Sequence, residues 1–245
     1  MKIILAPAKK MQRADDDFAV RDLPVFLEQT QKLLDTMRSL DRADLKKMWN
    51  CSDKITDQNM ERLAVMNLHE KLSPAVFTYV GLAYQHMAPG AMTEKQLEYL
   101  QSHLRILSGF YGVLKPFDGV TPYRLEMQAV MPGTGDLYSF WADRLYREVR
   151  DEDGVIINLA SKEYSSAIEK YLKENDTMIT AVFGEMKNEK VIQKGTMAKM
   201  ARGEMTWWMA ENNIEEPRRL KDFNAGWQFS EELSSEKEYV FLKRP

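Results

Sequence analysis

The chain has 245 residues, of which 44% are hydrophobic and 29% charged, and this composition excludes a wholly disordered protein. Its 34 basic and 37 acidic side chains give a net charge of −3, which excludes a histone-like polycation but allows one local basic face. The single cysteine, Cys51, excludes an intramolecular disulfide, and no apolar run reaches the roughly 18–20 residues of a membrane span. We therefore expect a cytoplasmic protein without membrane contact.

Apolar spacing and breaker residues predict the elements in chain order. A short apolar run predicts a buried first strand at 2–6, followed by a polar, acidic surface loop at 11–22. Apolar residues spaced three and four positions apart predict helices at 23–40, 44–49, 60–67, 93–107, 136–149, 161–174 and 196–212. Apolar runs beside turns predict strands at 155–159, 177–183, 190–193 and 239–242, the middle two as a hairpin. Without repeats or an evident linker, the pattern indicates one α+β domain over residues 1–245.

A pair of glycines follows the predicted helix 93–107. Gly109 and Gly112 are three residues apart, and Lys115 comes after them. A tight turn here needs a positive φ at one glycine and exposes backbone N–H groups, which can grip phosphate as a helix-hairpin-helix element does. The spacing has one residue more than the usual Gly-apolar-Gly core, and a helix cap followed by a turn has the same pattern.

Polar residues two apart characterise the segment 122–127. Pro122 favours an extended chain, in which Arg124 and Glu126 project to one side and Tyr123 to the other. Such an arrangement suits the lining of a cleft, and it equally suits a surface ion pair.

A third group lies where the predicted strand 155–159 passes into the next helix. Asn158 ends the strand, and Ser161, Glu163 and Tyr164 begin the helix. Ligands, and anions in particular, collect at such junctions in α/β layers. An ordinary strand-to-helix junction with a serine cap has the same residues.

Two basic residues share a face of the predicted helix 196–212. Lys199 and Arg202 are three residues apart, which favours phosphate contact or a solvated face equally. The three histidines are scattered, and no Walker A, His-Glu-x-x-His or Cys-x-x-Cys motif is present. We predict neither a metal nor a cofactor.

These segments together resemble the YaaA-type peroxide stress protein family over nearly the whole chain. The matching motifs follow one another in family order: Ala6 to Lys9, Trp49 with Ser52-Asp53-Lys54, Tyr79 to Gly81 with Tyr84, residues 103–118, Pro122 to Met127, Leu137-Tyr138 with Phe140-Trp141, Ile157 to Tyr164, and Lys199 to Gly203. The resemblance implies a mixed α/β domain with a helix-hairpin-helix-like element and a basic cleft. It also implies a cytosolic role in hydrogen peroxide stress, limitation of free iron and its Fenton chemistry, and binding of duplex or branched DNA.

The resemblance carries ten residues over as cleft candidates: Lys9, Asp53, Lys54, Arg124, Glu126, Asn158, Ser161, Glu163, Lys199 and Arg202. At Lys115 the family often has Arg, which alone offers a bidentate fork to phosphate.

Two hypotheses follow. In the first, the protein binds DNA without catalysis, and its phosphate contacts are Lys9, Lys54, Lys115, Arg124, Lys199, Arg202 and the Gly109–Gly112 turn. In the second, it is an enzyme acting on a nucleobase, nucleotide or nucleic acid, because a pure phosphate grip has no need of Asp53, Glu126, Asn158 and Glu163. Glu126 or Glu163 is then the acid/base, and Tyr164 stacks or hydrogen-bonds.

Overall fold

A computed structural model describes residues 1–14 and 18–244; residues 15–17 of the predicted surface loop lie outside the described residues. The strands are β1 (Lys2–Leu5), β2 (Lys10–Met11), β3 (Ser73–Pro74), β4 (Tyr79–Val80), β5 (Leu104–Ser108), β6 (Gly112–Leu114), β7 (Gly119–Val120), β8 (Val130–Met131), β9 (Gly135–Asp136), β10 (Val155–Leu159), β11 (Thr177–Lys187), β12 (Lys190–Ile192), β13 (Trp227–Phe229) and β14 (Glu238–Lys243). The helices are α1 (Leu27–Ser39), α2 (Arg42–Trp49), α3 (Asp53–Val65), α4 (Ala75–Thr78), α5 (Leu82–Met87), α6 (Glu94–His103), α7 (Leu137–Trp141), α8 (Arg144–Val149), α9 (Lys162–Glu169) and α10 (Gly195–Glu211), with 3-10 turns at Pro89–Ala91 and Pro217–Asp222.

A mixed sheet forms the centre of the structure. Its strand order is β13-β14-β11-β10-β1-β5-β6, with β12 paired to β11 outside this path. The pairs from β14 to β5 are parallel, whereas β13 and β6 run antiparallel to their neighbours. Consecutive residues Ile3, Ile4 and Leu5 are at most 1% exposed, so β1 is covered on both faces. The predicted mixture of helices and strands is confirmed.

Parallel strands bring their carboxyl ends to one edge of this sheet. In register, Leu5 lies opposite Leu159 on one side and Ile106 on the other. The chain therefore leaves β1 and β10 at neighbouring points, which we call the carboxyl edge. Ligands commonly bind at this edge in open α/β sheets.

The predicted helix 93–107 is wrong in its last part. Helix α6 ends at His103, and residues 104–108 form β5 between β1 and β6. All five residues of β5 are buried, and a strand buried on both faces shows no period-2 alternation that would separate it from a helix in sequence. The predicted helix 136–149 is likewise two helices, separated at Ala142, which has φ 48°.

The Gly109–Gly112 turn is not a helix-hairpin-helix-like element. It joins β5 to β6 as a β-hairpin, and the predicted positive φ is confirmed at Gly112, at 77°. The turn is buried, and its Phe110 and Tyr111 N–H groups donate to Ser108 Oγ at 3.2 and 2.9 Å. These N–H groups are therefore occupied inside the protein.

Helices α2 and α3 are joined by only three residues, with Asn50 in the left-handed region at φ 44°.

Among the described residues, no helix combines the length and the apolar character needed to cross a membrane.

Candidate functional site

A cleft of about 370 Å³ opens at the carboxyl edge. It lies between the chain leaving β1, the start of α5, the extended segment 123–126, the start of α9 and one face of α10. The predicted site residues that line it are Lys9, Tyr123, Arg124, Glu126, Ser161, Glu163, Tyr164, Lys199 and Arg202. The fold therefore brings together residues that are up to 193 positions apart in the chain, counted from Lys9 to Arg202.

The carboxylate of Glu126 lies between two cations. Lys9 Nζ is 2.6 Å from Oε2, and an Arg124 terminal nitrogen is 2.7 Å from Oε1. The second contact lacks hydrogen-bond geometry, so Glu126 Oε1 is buried without a hydrogen-bond partner among the described residues, and Arg124 Nε is buried without one as well. The alternating burial of 123–127 confirms that Arg124 and Glu126 share one side of an extended chain. This part of the cleft is charge-compensated but retains hydrogen-bonding capacity.

The wall of the cleft that α10 forms holds two basic residues that have no ion pair among the described residues. Within the described part of the chain, the Arg202 side chain has neither an ion pair nor a hydrogen bond, and its Nε is buried. Burial lowers the pKa of Arg202. Lys199, one turn before it, is exposed and also has no ion pair among these residues. Because a guanidinium removed from water is costly without a partner, this wall is suited to an anion.

A second carboxylate enters the cleft from the start of α9. Glu163 is half-buried and its Oε1 accepts from the Gln128 N–H at 3.4 Å. Burial raises the pKa of Glu163, and the nearby charge of Glu126 raises it further. Ser161 occupies the N-cap position of α9 without a capping hydrogen bond from its hydroxyl. Burial also raises the pKa of Tyr164 well above its ordinary value.

A chain of hydroxyl groups supports the cleft from below. Tyr123 Oη lies 2.9 Å from Tyr79 Oη and 2.6 Å from Ser108 Oγ, and burial raises the pKa of Tyr123 to about 12. Tyr84 donates to the Ala6 carbonyl at 3.0 Å, which holds the chain leaving β1. The sequence pattern alone predicts no role at the site for Tyr79, Tyr84 and Ser108, although all three lie in the motifs that carry the family resemblance.

Close backbone approaches set the walls of the cleft. A Cβ at Gly203 would collide with the Ala83 carbonyl oxygen, where α10 packs on α5. A Cβ at Gly81 would come within 2.8 Å of Ala8 Cβ. A Cβ at Gly109 would come within 2.7 Å of the Leu125 carbonyl oxygen. The buried hairpin therefore supports the site from behind, by packing against the segment that carries Arg124 and Glu126 and by the hydrogen bond between Ser108 and Tyr123.

Asn158 and Lys115 lie away from the cleft. Asn158 is 2% exposed, donates to Thr180 Oγ1 at 3.1 Å and accepts from the Ala160 N–H at 2.9 Å, which makes it a structural residue of the sheet. Lys115 follows β6, which runs back from the hairpin, so it lies at the opposite end of the sheet.

Asp53 and Lys54 begin α3, also outside the cleft. Asp53 accepts from Arg42 at 2.9 Å and from Lys46 at 2.8 Å, and these bonds lower the pKa of Asp53 while they join α3 to α2. Lys54 is exposed and has no ion pair within the described ranges. In the same ranges, no group of three or more His, Cys, Asp or Glu side chains is arranged to hold a metal ion.

Comparison with known proteins agrees with the resemblance over the whole chain. A family model described as peroxide stress protein YaaA matches residues 1–233. A UPF0246 protein of Agathobacter rectalis is 53% identical over all of this chain and 99% of its own length. Those of Pediococcus pentosaceus and Lachnoclostridium phytofermentans are 50% and 51% identical, over 99% of this chain and 98% and 96% of theirs. With a model that spans nearly every element and relatives that match end to end, the chain belongs to the YaaA family of peroxide stress proteins.

Proposed function

We propose that this protein binds duplex or branched DNA during peroxide stress, with a backbone phosphate held on the α10 wall of the cleft. The observation that carries the proposal is Arg202, a half-buried residue whose Nε is buried and whose guanidinium has no partner among the described residues. Lys199 lies one turn before it and has no ion pair among the same residues. A phosphate is a strong bidentate partner for a guanidinium. Arg124 and Lys9 already face Glu126, so they are secondary contacts.

A charge-matched pair of variants tests this proposal. Lys199→Ala with Arg202→Gln should weaken binding to a linear duplex and to a four-way junction. It should also reduce the salt slope by about two units, since each phosphate contact contributes about 0.9. Lys187→Ala with Lys190→Ala removes the same charge from the exposed tip of the β11–β12 hairpin. An equal loss of DNA affinity in both variants would show only a general effect of charge. An unchanged salt slope in the Lys199→Ala, Arg202→Gln variant would show that α10 is not part of the interface.

We place this activity in the cytoplasm, where DNA binding would limit the oxidative damage that iron and peroxide cause through Fenton chemistry. Cells that lack the protein should regain peroxide resistance from the wild-type chain but not from the Lys199→Ala, Arg202→Gln variant. Equal protection by both chains, at equal protein levels, would separate the stress function from this cleft.

A second candidate function is acid/base catalysis on a nucleobase, nucleotide or nucleic acid in the same cleft. The observation that favours it is the pair Glu126 and Glu163, because the two carboxylates differ in their surroundings. Glu126 lies between two cations, whereas Glu163 has no ion pair among the described residues and burial raises its pKa. Such a difference separates a proton donor from an ionised partner.

The catalytic hypothesis has its own measurement. Oligonucleotides incubated with the wild-type chain should release a free base or a cleaved strand, and Glu163→Gln should abolish this release while DNA affinity stays within about twofold. Lys199→Ala with Arg202→Gln should instead lower affinity. The absence of any product from the wild-type chain, across duplex and branched substrates, would leave binding as the function.

A further inference from the structure

A second depression, of about 480 Å³, adjoins the cleft. Its walls are the carboxyl-terminal part of α2 and the segment 128–132, and Glu126 lines both the depression and the cleft. We call it the side depression and define it by Lys47, Trp49, Asn50, Gln128 and Val130. Nothing in the proposed function uses it.

Trp49 lines the side depression and has a hydrogen-bond donor without a partner among the described residues. The residue is 3% exposed, and its indole N–H has no acceptor among the described residues. A buried donor without a partner destabilises the folded state, and such groups in native proteins call for an explanation. An acceptor atom on a ligand seated in the depression would supply the missing partner.

The charges around the side depression favour a neutral ligand group. Asp44 and Glu126 line it with Lys47 as the cation, whereas the basic residues of the α10 wall have no ion pair with any residue that the structure describes. Val130, 64% exposed, adds an apolar wall at the rim, and Asn50 and Gln128 add amide groups. An apolar surface with a few donors and acceptors suits a nucleobase, which has a π-face and acceptor atoms at its edge. It does not suit a second phosphate.

We propose that the side depression receives the base of one nucleotide while the adjoining nucleotide of the same DNA strand places its phosphate in the cleft. Glu126 marks the boundary between the two subsites, so one strand passes across it. The indole N–H of Trp49 donates to an acceptor atom of the base. This inference rests on the proposed function and extends it from phosphate binding to two adjacent nucleotide subsites.

Trp49→Phe tests the inference because it removes the N–H and keeps an aromatic ring. The probes are thymidine 5′-monophosphate and the dinucleotide 5′-pTpT, with affinities measured by titration calorimetry. The wild-type chain should bind the dinucleotide about tenfold more tightly than the mononucleotide, since a stacked or packed base contributes about that factor. Trp49→Phe should lose about threefold to tenfold for the dinucleotide and nothing for the mononucleotide.

Val130→Asp is a second variant that leaves the fold intact, because the side chain is exposed. A carboxylate at the rim should likewise reduce the preference for the dinucleotide. Equal dinucleotide affinity in the wild-type chain and both variants would overturn the inference, while a mononucleotide affinity that depends on Arg202 would still support the proposed function. Mononucleotide binding that Arg202→Gln does not weaken would overturn the proposed function instead, and the two-subsite inference with it.

Discussion

The two ends of the central sheet carry similar charged side chains in different surroundings. At the carboxyl edge, Arg202 lines the cleft, and its side chain has no partner among the residues that the structure describes. At the opposite end, Arg105 is 7% exposed and donates to the carbonyl groups of Leu104 and Gln101 at 2.8 and 3.3 Å. Asp118, 3% exposed, accepts from the Lys115 N–H at 2.8 Å.

The difference shows what separates a candidate binding group from a structural one. Both arginines are desolvated, and burial lowers the pKa of each. Arg105 donates from one terminal nitrogen to two backbone carbonyl groups, although its Nε has no partner among the described residues. Arg202 makes no side-chain hydrogen bond to the described residues, and it lines a cleft that a ligand can enter. A buried charge therefore indicates binding when it lines a cavity and its polar atoms have no internal partner.

The largest expected change in stability concerns the β5–β6 hairpin, which runs between the two ends of the central sheet. Gly112→Ala should lower the free energy of unfolding by about 4 kcal/mol, because it adds positive-φ strain and overpacking. A Cβ there would come within about 3 Å of Phe26, Leu145 and Trp141. Gly133 has the same φ, 77°, with open space around it, so Gly133→Ala isolates the strain at about 1–2 kcal/mol. Urea unfolding of the two variants compares them, and equal losses would show that packing at Gly112 adds nothing.

A pH dependence of stability is expected from Asp118, at the end of the sheet opposite the cleft. Burial raises the pKa of Asp118 to about 6, against about 3.9 in an unfolded chain. Its contribution to stability is thus fully present below pH 4 and is lost as the pH rises through 6. Asp118→Asn keeps an oxygen acceptor for the Lys115 N–H and should gain about 2–3 kcal/mol at pH 7 relative to the wild-type chain. The two free energies of unfolding, measured from pH 4 to 7, should converge at the acid end, and a constant difference would contradict the shift.

The smallest expected change in stability comes from replacing each of the two arginines, which compares them directly. Arg105→Met should lower the free energy of unfolding by about 1–3 kcal/mol, because two carbonyl groups lose their donor. Arg202→Met should stay within about 0.5 kcal/mol of the wild-type stability or exceed it, because an unpaired buried charge is removed. Thermal unfolding at one pH measures both variants. A cost at Arg202 equal to that at Arg105 would show that Arg202 has a structural role.

The parts of the site that local geometry determines could be predicted from sequence. Arg124 and Glu126 share a side because an extended chain repeats every two residues, and Lys199 and Arg202 share a face because a helix places residues three apart together. Both pairs line the cleft as expected. The strand β10 at 155–159 is also as predicted.

Features that depend on distant packing could not be predicted. Residues 104–108 became a strand because β1 and β6 flank them, and neither neighbour is visible in a local window. Asn158 has the residue type of a cleft ligand, yet its amide is used inside the sheet. The orphaned indole N–H of Trp49 becomes visible only when all neighbouring acceptors are placed.

The glycine contacts along the cleft limit which ligands it can accept. At Gly203 the backbone of α10 rests on the backbone of α5, and at Gly81 the chain entering α5 rests on Ala8. Main-chain atoms, unlike side chains, have no alternative rotamers through which to yield. The spacing of α10, α5 and the chain leaving β1 is therefore set by main-chain contact, and a larger residue at Gly203 or Gly81 would push these elements apart and widen the cleft.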